Sequence, residues 1–174
     1  MNKNILMILG ALVVVGGIIL SMNSSKRNPG ITPTGITTAG KEATISDDVC
    51  ATFSKEFVAQ ALGKNILKTE AQSHSPTFVC QYYTDDSNFV TLRLNKMSAE
   101  NQKKGQTALG RKISTNDKIK MDHFVVIQDN GLINGVYLIV NPNLFIAIDR
   151  TSSKAASETE IVDFAAKVAE QIGK

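Results

Sequence analysis

The sequence predicts an α+β domain, preceded by one N-terminal transmembrane helix. Its sheet is mostly antiparallel, with five or six strands and three helices in the order αβββαβββα. Three observations carry that expectation. An apolar run from Ile5 to Leu20 stands alone ahead of a polar stretch. Three later segments repeat apolar residues at the helical period. Between them lie six short segments rich in β-branched and aromatic residues and bounded by turn chemistry. The length of 174 residues, with 43% apolar and 20% charged, suits one folded domain. Two cysteines are too few for a disulfide-dense miniprotein or a four-thiolate zinc site.

Residues 1–22 read as a membrane anchor or uncleaved signal. Ile5 to Leu20 contains no polar side chain, and Ser21 and Met22 extend it to the shortest length that spans a bilayer as a helix. The core is longer than that of a cleaved signal, and no small-x-small site follows it. Residues 23–45 form a linker. From Asn23 to Gly40, thirteen of eighteen residues are Ser, Thr, Gly, Pro or Asn, too little apolar surface to offset ordering entropy. Residues 46–174 form the folded domain. Lys3 on one flank and Lys26 and Arg27 on the other nearly balance, so charge alone does not orient the anchor. An oxidised cysteine pair would break the tie by placing the domain outside the cytoplasm of a single-pass cell-membrane protein.

The formal charge is +3, yet from Asn28 onward 16 basic residues face 16 acidic ones. A nucleic-acid binder carries its excess in the folded domain, so no nucleic-acid partner is expected.

Within the domain, Asp47 and Asp48 open a helix with Val49, Phe53, Phe57 and Leu62 on one face and Gly63 as its stop. Strands are expected over 66–72, 77–83 and 88–94, the last two joined by Thr84-Asp85-Asp86-Ser87. Ser98 opens a polar helix ending at Leu109 and Gly110. Strands follow over 123–128, 135–140 and 144–149. Asn130-Gly131 and Asn134-Gly135 both carry turn chemistry, and Asn141-Pro142-Asn143 closes a hairpin. Ser157-Glu158-Thr159-Glu160 is a capping box for a closing helix whose stripe is Ile161, Phe164, Ala165, Val168 and Ile172. Ala61-Leu62-Gly63-Lys64-Asn65-Ile66 is echoed by Ala108-Leu109-Gly110-Arg111-Lys112-Ile113. The strands 135–140 and 144–149 are apolar on both sides of the pleat, which requires cover on both faces. The closing helix supplies one cover, leaving another helix, a partner or a ligand for the other.

Cys50 falls in the first turn of a helix and Cys80 mid-strand beside Phe78 and Tyr82. A bridge between them would staple helix to sheet. Two buried free thiols are the second reading. A nucleophile at a helix N-terminus is the third, and it needs His74 or His123 as partner. No phosphate loop, dinucleotide fingerprint, zinc-protease, hydrolase-elbow or calcium-loop motif is present. No catalytic residue, metal site or cofactor is therefore expected. Asp85 and Asp86 read as a solvated hairpin tip in preference to a calcium site.

One charge asymmetry stands out. Arg93, Lys96, Lys103, Lys104, Arg111, Lys112, Lys118 and Lys120 face only Glu100 and Asp117 within their own stretch of chain. An acidic protein, an anionic lipid surface or an anionic envelope polymer fits such a patch. Lysines spread over several faces, serving only solvation, are the competing reading.

These residues also resemble a family. Cys50 with Phe53, Phe57-Val58-Ala59, Ala61-Leu62-Gly63 and Cys80-Gln81-Tyr82 is similar to a pattern in small secreted actinobacterial lipoproteins and in the extracellular sensor domains of mycobacterial receptor kinases. Gly131 to Tyr137, Asn143 to Ile148 and the closing helix resemble their C-terminal half. The resemblance spans about 125 residues. It implies a Mog1/PsbP-like α+β sandwich that binds something without catalysis, with Cys50 and Cys80 matching the family's disulfide. No lipid-modifiable cysteine follows the apolar run, so an anchor stands in place of the lipid. Together these readings lead to a membrane-anchored extracytoplasmic binding or sensing module, attached through residues 5–22. The alternative is a structural or accessory subunit of an envelope membrane assembly.

Overall fold

A computed structural model describes residues 45–174; the expected anchor and most of the linker lie outside the described residues. The domain is α+β. Seven strands, β1 (Lys68–His74), β2 (Thr77–Tyr83), β3 (Phe89–Asn95), β4 (Lys112–Ser114), β5 (His123–Ile127), β6 (Ile133–Asn141) and β7 (Leu144–Arg150), form one sheet. Its order is β1-β2-β3-β7-β6-β5-β4, and every neighbouring pair is antiparallel. The chain lays β1 to β3 from one edge inward, crosses to the far edge, and meanders back so that β7 closes against β3.

Four helices accompany the sheet: α1 (Val49–Thr52), α2 (Lys55–Leu62), α3 (Ala99–Ala108) and α4 (Glu158–Ile172). The single opening helix expected from sequence is two. Asp48 caps α1 by accepting from the Ala51 N–H. Ser54 then caps a new start by accepting from Phe57 N–H at 3.2 Å, and this breaks the helix at Phe53-Ser54. The break still buries Phe53 completely. The strand count also exceeds the expected five or six. The three-residue β4 is too short to show a two-residue alternation in the sequence.

The sheet has two differently covered faces. One packs α1, α2 and α4 through Phe53, Val58, Leu62, Ile161, Phe164 and Val168 onto Cys80, Tyr82, Leu92, Leu138, Ile146 and Ile148. The other carries a smaller core of Phe124, Val126, Tyr137, Phe145 and Ala147 under Ala99 of α3. The two-faced apolar pattern of β6 and β7 is thereby explained, because α3 supplies the second cover. On β1 to β3 this second face has no helix over it. Its residues there are mostly polar, with Val79 and Phe89 among them, as expected where one side of an antiparallel sheet meets water.

Asn134-Gly135 is not a turn but lies inside β6, with Gly135 opposite Asp149. A Cβ on Gly135 would sit 2.6 Å from the Asp149 carboxylate, so the glycine makes room for a side chain of the neighbouring strand. Among the described residues no helix is long and apolar enough to cross a membrane.

Candidate functional site

The cysteines are joined. Cys50, in α1, and Cys80, buried in the middle of β2, form a disulfide with their Cα atoms 5.2 Å apart. Two residues along β2 on the same face, the Tyr82 hydroxyl donates to the Phe53 carbonyl at 2.5 Å, where α1 ends. One covalent and one hydrogen-bonded tie thus hold this short helix to the sheet. Burial drives the Tyr82 phenol well above its ordinary range. Neither histidine is placed to activate a thiol. His123 accepts from the Asn116 N–H at 2.9 Å and its other ring nitrogen meets the Met121 carbonyl, while His74 is exposed at the end of β1.

The uncovered sheet face carries a polar groove. A groove of about 470 Å³ crosses β1, β2, β3 and the end of β7, lined among others by Gln72, Gln81, Phe89, Thr91, Arg93 and Asp149. Arg93 donates from Nη2 to Asp149 Oδ2 across the β3–β7 pair. The Arg93 side chain is 39% exposed and that of Asp149 only 21%. Burial pushes the Asp149 carboxyl up, against the pull of Arg93 and, further off, Arg111. Arg93 Nε is itself buried and has no hydrogen-bond partner among the described residues.

A polar chain continues from the groove under α3. The Tyr137 ring stacks on Phe124 at 4.5 Å between centroids. Gln106 Nε2 lies 3.4 Å from the Tyr137 hydroxyl, and Arg111 donates to Gln106 Oε1 at 2.6 Å. Burial raises the Tyr137 phenol, and Asp149 nearby raises it further. Two guanidinium groups, one carboxylate and one phenol therefore converge where α3 leaves the sheet face exposed.

The eight basic residues do not share one setting. Arg93 and Arg111 approach Asp149. Lys96 pairs with Asp47 at 2.6 Å and Lys118 with Asp163 at 2.5 Å. Lys104 meets Glu100 at 3.7 Å on α3, the helix that also carries Lys103, and Lys120 donates to the Asp117 carbonyl. Lys112 is exposed on β4. Three of the carboxylates involved, Asp47, Asp149 and Asp163, come from distant parts of the chain, which is why a count along the sequence missed them. At the β2–β3 turn, Asp85 accepts from the Ser87 and Asn88 N–H groups, which holds its carboxyl below the usual range. Among the described residues, no three His, Cys, Asp or Glu side chains form a group suited to a metal ion.

Asp149, Tyr137 and Gln106 were not singled out from sequence, and Gly135 was read there only as a turn residue. A signal existed in the opposite charges of Arg93 and Asp149, each the single charged residue of its expected strand, 88–94 and 144–149. No family model, curated protein or solved structure matches the chain.

Proposed function

We propose that the chain is a membrane-anchored binding or sensing module without catalysis of its own. Residues 5–22 hold it in the cell membrane, and its α+β domain faces outside the cytoplasm. The Cys50–Cys80 bridge carries this reading, since structural disulfides persist in oxidising compartments and are rare in the cytosol. The groove around Arg93 supports the binding part. It offers a half-exposed guanidinium, two glutamine side chains and the Phe89 ring on a rigid sheet.

The test has two arms. Intact cells are treated with an impermeant protease, and the membrane-extracted chain is alkylated and weighed with and without reductant. Protease removal of the domain and a reductant-dependent uptake of two alkyl groups are expected. Two freely alkylatable thiols on a protected domain would overturn the topology. For the groove, a bulky Gln81→Trp is expected to lower retention of the full chain on isolated envelope fragments; unchanged retention would remove the groove from the reading. The second reading, an accessory subunit of an envelope assembly, is favoured by the exposed Leu109 and Leu132 beyond the sheet's main core.

A further inference from the structure

We propose, on the reading of the Arg93 groove as the binding surface, that its ligand is an uncharged saccharide: a short stretch of sugar chain whose hydroxyls pair with the side chains of the sheet face. Strand register sets the floor. Gln81, Thr91 and Asp149 stand side by side across β2, β3 and β7, and Val79 and Arg93 form the neighbouring row. β2 and β3 are each paired on both sides, so no backbone group is left there for an added peptide strand. Side chains alone meet the ligand.

Charge argues for a neutral occupant. Arg93 and Asp149 compensate each other across β3 and β7. Arg150, also at the groove, is held by the Ala156 carbonyl and by Glu158 at 3.5 Å, with its side chain only 8% exposed. What remains is an uncharged set of donors and acceptors. Gln81 Oε1 accepts from the Tyr83 hydroxyl at 3.1 Å, which leaves the amide N–H groups of Gln81 to donate elsewhere. Gln72 and Thr91 line the groove without a side-chain hydrogen bond among the described residues. A carboxamide and a hydroxyl each donate and accept, as every sugar hydroxyl does. Phe89, partly exposed where β3 begins, offers an apolar ring to the C–H face of a sugar.

The same floor is a poor seat for a helix. A half-turn about β7 carries β6 onto β3 and exchanges the faces of the sheet, so the groove is the counterpart of the seat of α4. Under α4 lie Val136, Leu138, Ile146 and Ile148. An apolar helix face laid on Gln81, Thr91 and Arg93 would instead leave their polar groups unpaired. A ligand with hydroxyls of its own satisfies them.

The experiment is calorimetric titration of the full chain, in a detergent without a sugar head group. The probes are maltotriose, cellotriose and tri-N-acetylchitotriose, with trigalacturonate as the charged comparison. At least one neutral trisaccharide is expected to bind, and more tightly than trigalacturonate. Gln81→Leu is expected to weaken that binding about tenfold while the Cys50–Cys80 bridge, which marks the folded domain, is kept. Asp149→Asn uncovers the Arg93 charge and is expected to turn the preference toward trigalacturonate. Failure of all three neutral probes, or unchanged affinity in Gln81→Leu, overturns the proposal. A wild type that prefers trigalacturonate overturns it too, as does a bridged Asp149→Asn chain with the wild-type preference. If no neutral probe binds while Gln81→Trp still lowers retention on envelope fragments, the ligand class falls and the groove stands. If that retention is unchanged, the groove itself falls.

Discussion

At the scale of single residues, most of the informative side chains are polar groups tied into apolar surroundings. Tyr82 is fully buried, yet its hydroxyl reaches the carbonyl that ends α1. Tyr82→Phe leaves that carbonyl short of a donor and should cost about 1–3 kcal/mol in denaturant unfolding. Gly135 shows the opposite economy, an absent side chain that accommodates Asp149. Gly135→Ala should displace the carboxylate from Arg93 and destabilise by roughly 1–3 kcal/mol, the range for overpacking. Crystallography of that variant should show the Arg93–Asp149 contact broken; an unmoved pair would mean that the strands yield instead. The cysteines and the Ser157-Glu160 box were legible from residue type and spacing because each acts through its own local chemistry. The Arg93–Asp149 pair was not, since its partners are separated by 56 positions.

At the scale of elements, caps decide where helices begin. Ser54 divides what periodicity alone reads as one helix, because a side-chain acceptor for a free N–H outweighs the continuity of an apolar stripe. Glu160 closes the capping box on α4 and also meets Lys64 at 3.1 Å. The Ser157 backbone N–H is the main cause that holds its carboxyl below the ordinary 4.5. A lowered acid stabilises the fold above its unfolded value, and that contribution is lost as pH falls through the folded value. Melting temperature should therefore drop below about pH 4.5, more steeply in the wild type than in Glu160→Gln. At neutral pH, Ser157→Ala should cost about 1 kcal/mol. The repeated Ala-Leu-Gly segments also acquire a structural meaning. Both glycines adopt positive φ, at 67° and 77°, where a side chain is strained. After each, a strand begins an outer edge of the sheet, from opposite faces and in the same direction. That is the relation produced by a half-turn about the central β7.

At the scale of the whole molecule, the sheet is asymmetric in cover. Three helices fill one face, while a single polar helix fills half of the other, and the groove is the remainder. The disulfide lies in the fully covered layer and closes a separation of 30 residues. Reduction, or the double substitution Cys50→Ala with Cys80→Ala, should lower stability by about 3–4 kcal/mol under the chain-entropy model. Denaturant titration with and without reductant checks this, and the groove residues should keep their arrangement in the reduced protein because the bridge lies on the other face. The basic residues show why charge must be judged on the whole molecule. A run with a marked local excess is partly neutralised by aspartates from the segment before α1, the last strand and the closing helix.

By itself the sequence determined the α+β class, the mostly antiparallel pairing, the boundaries of β2, and the starts and stops of α3 and α4, and it offered the Cys50–Cys80 staple as one of three readings. Those features rest on local periodicity, capping and turn chemistry, which act over a few residues and leave their mark in composition. Only the tertiary structure decided the strand order, with β7 inserted between β3 and β6. It also decided the existence of the short β4, the placement of Asn134-Gly135 inside a strand, and the meeting of Arg93 with Asp149. Each of these depends on which distant segment becomes a neighbour. That choice is made by burying two different faces of one sheet at once, and no window along the chain contains it.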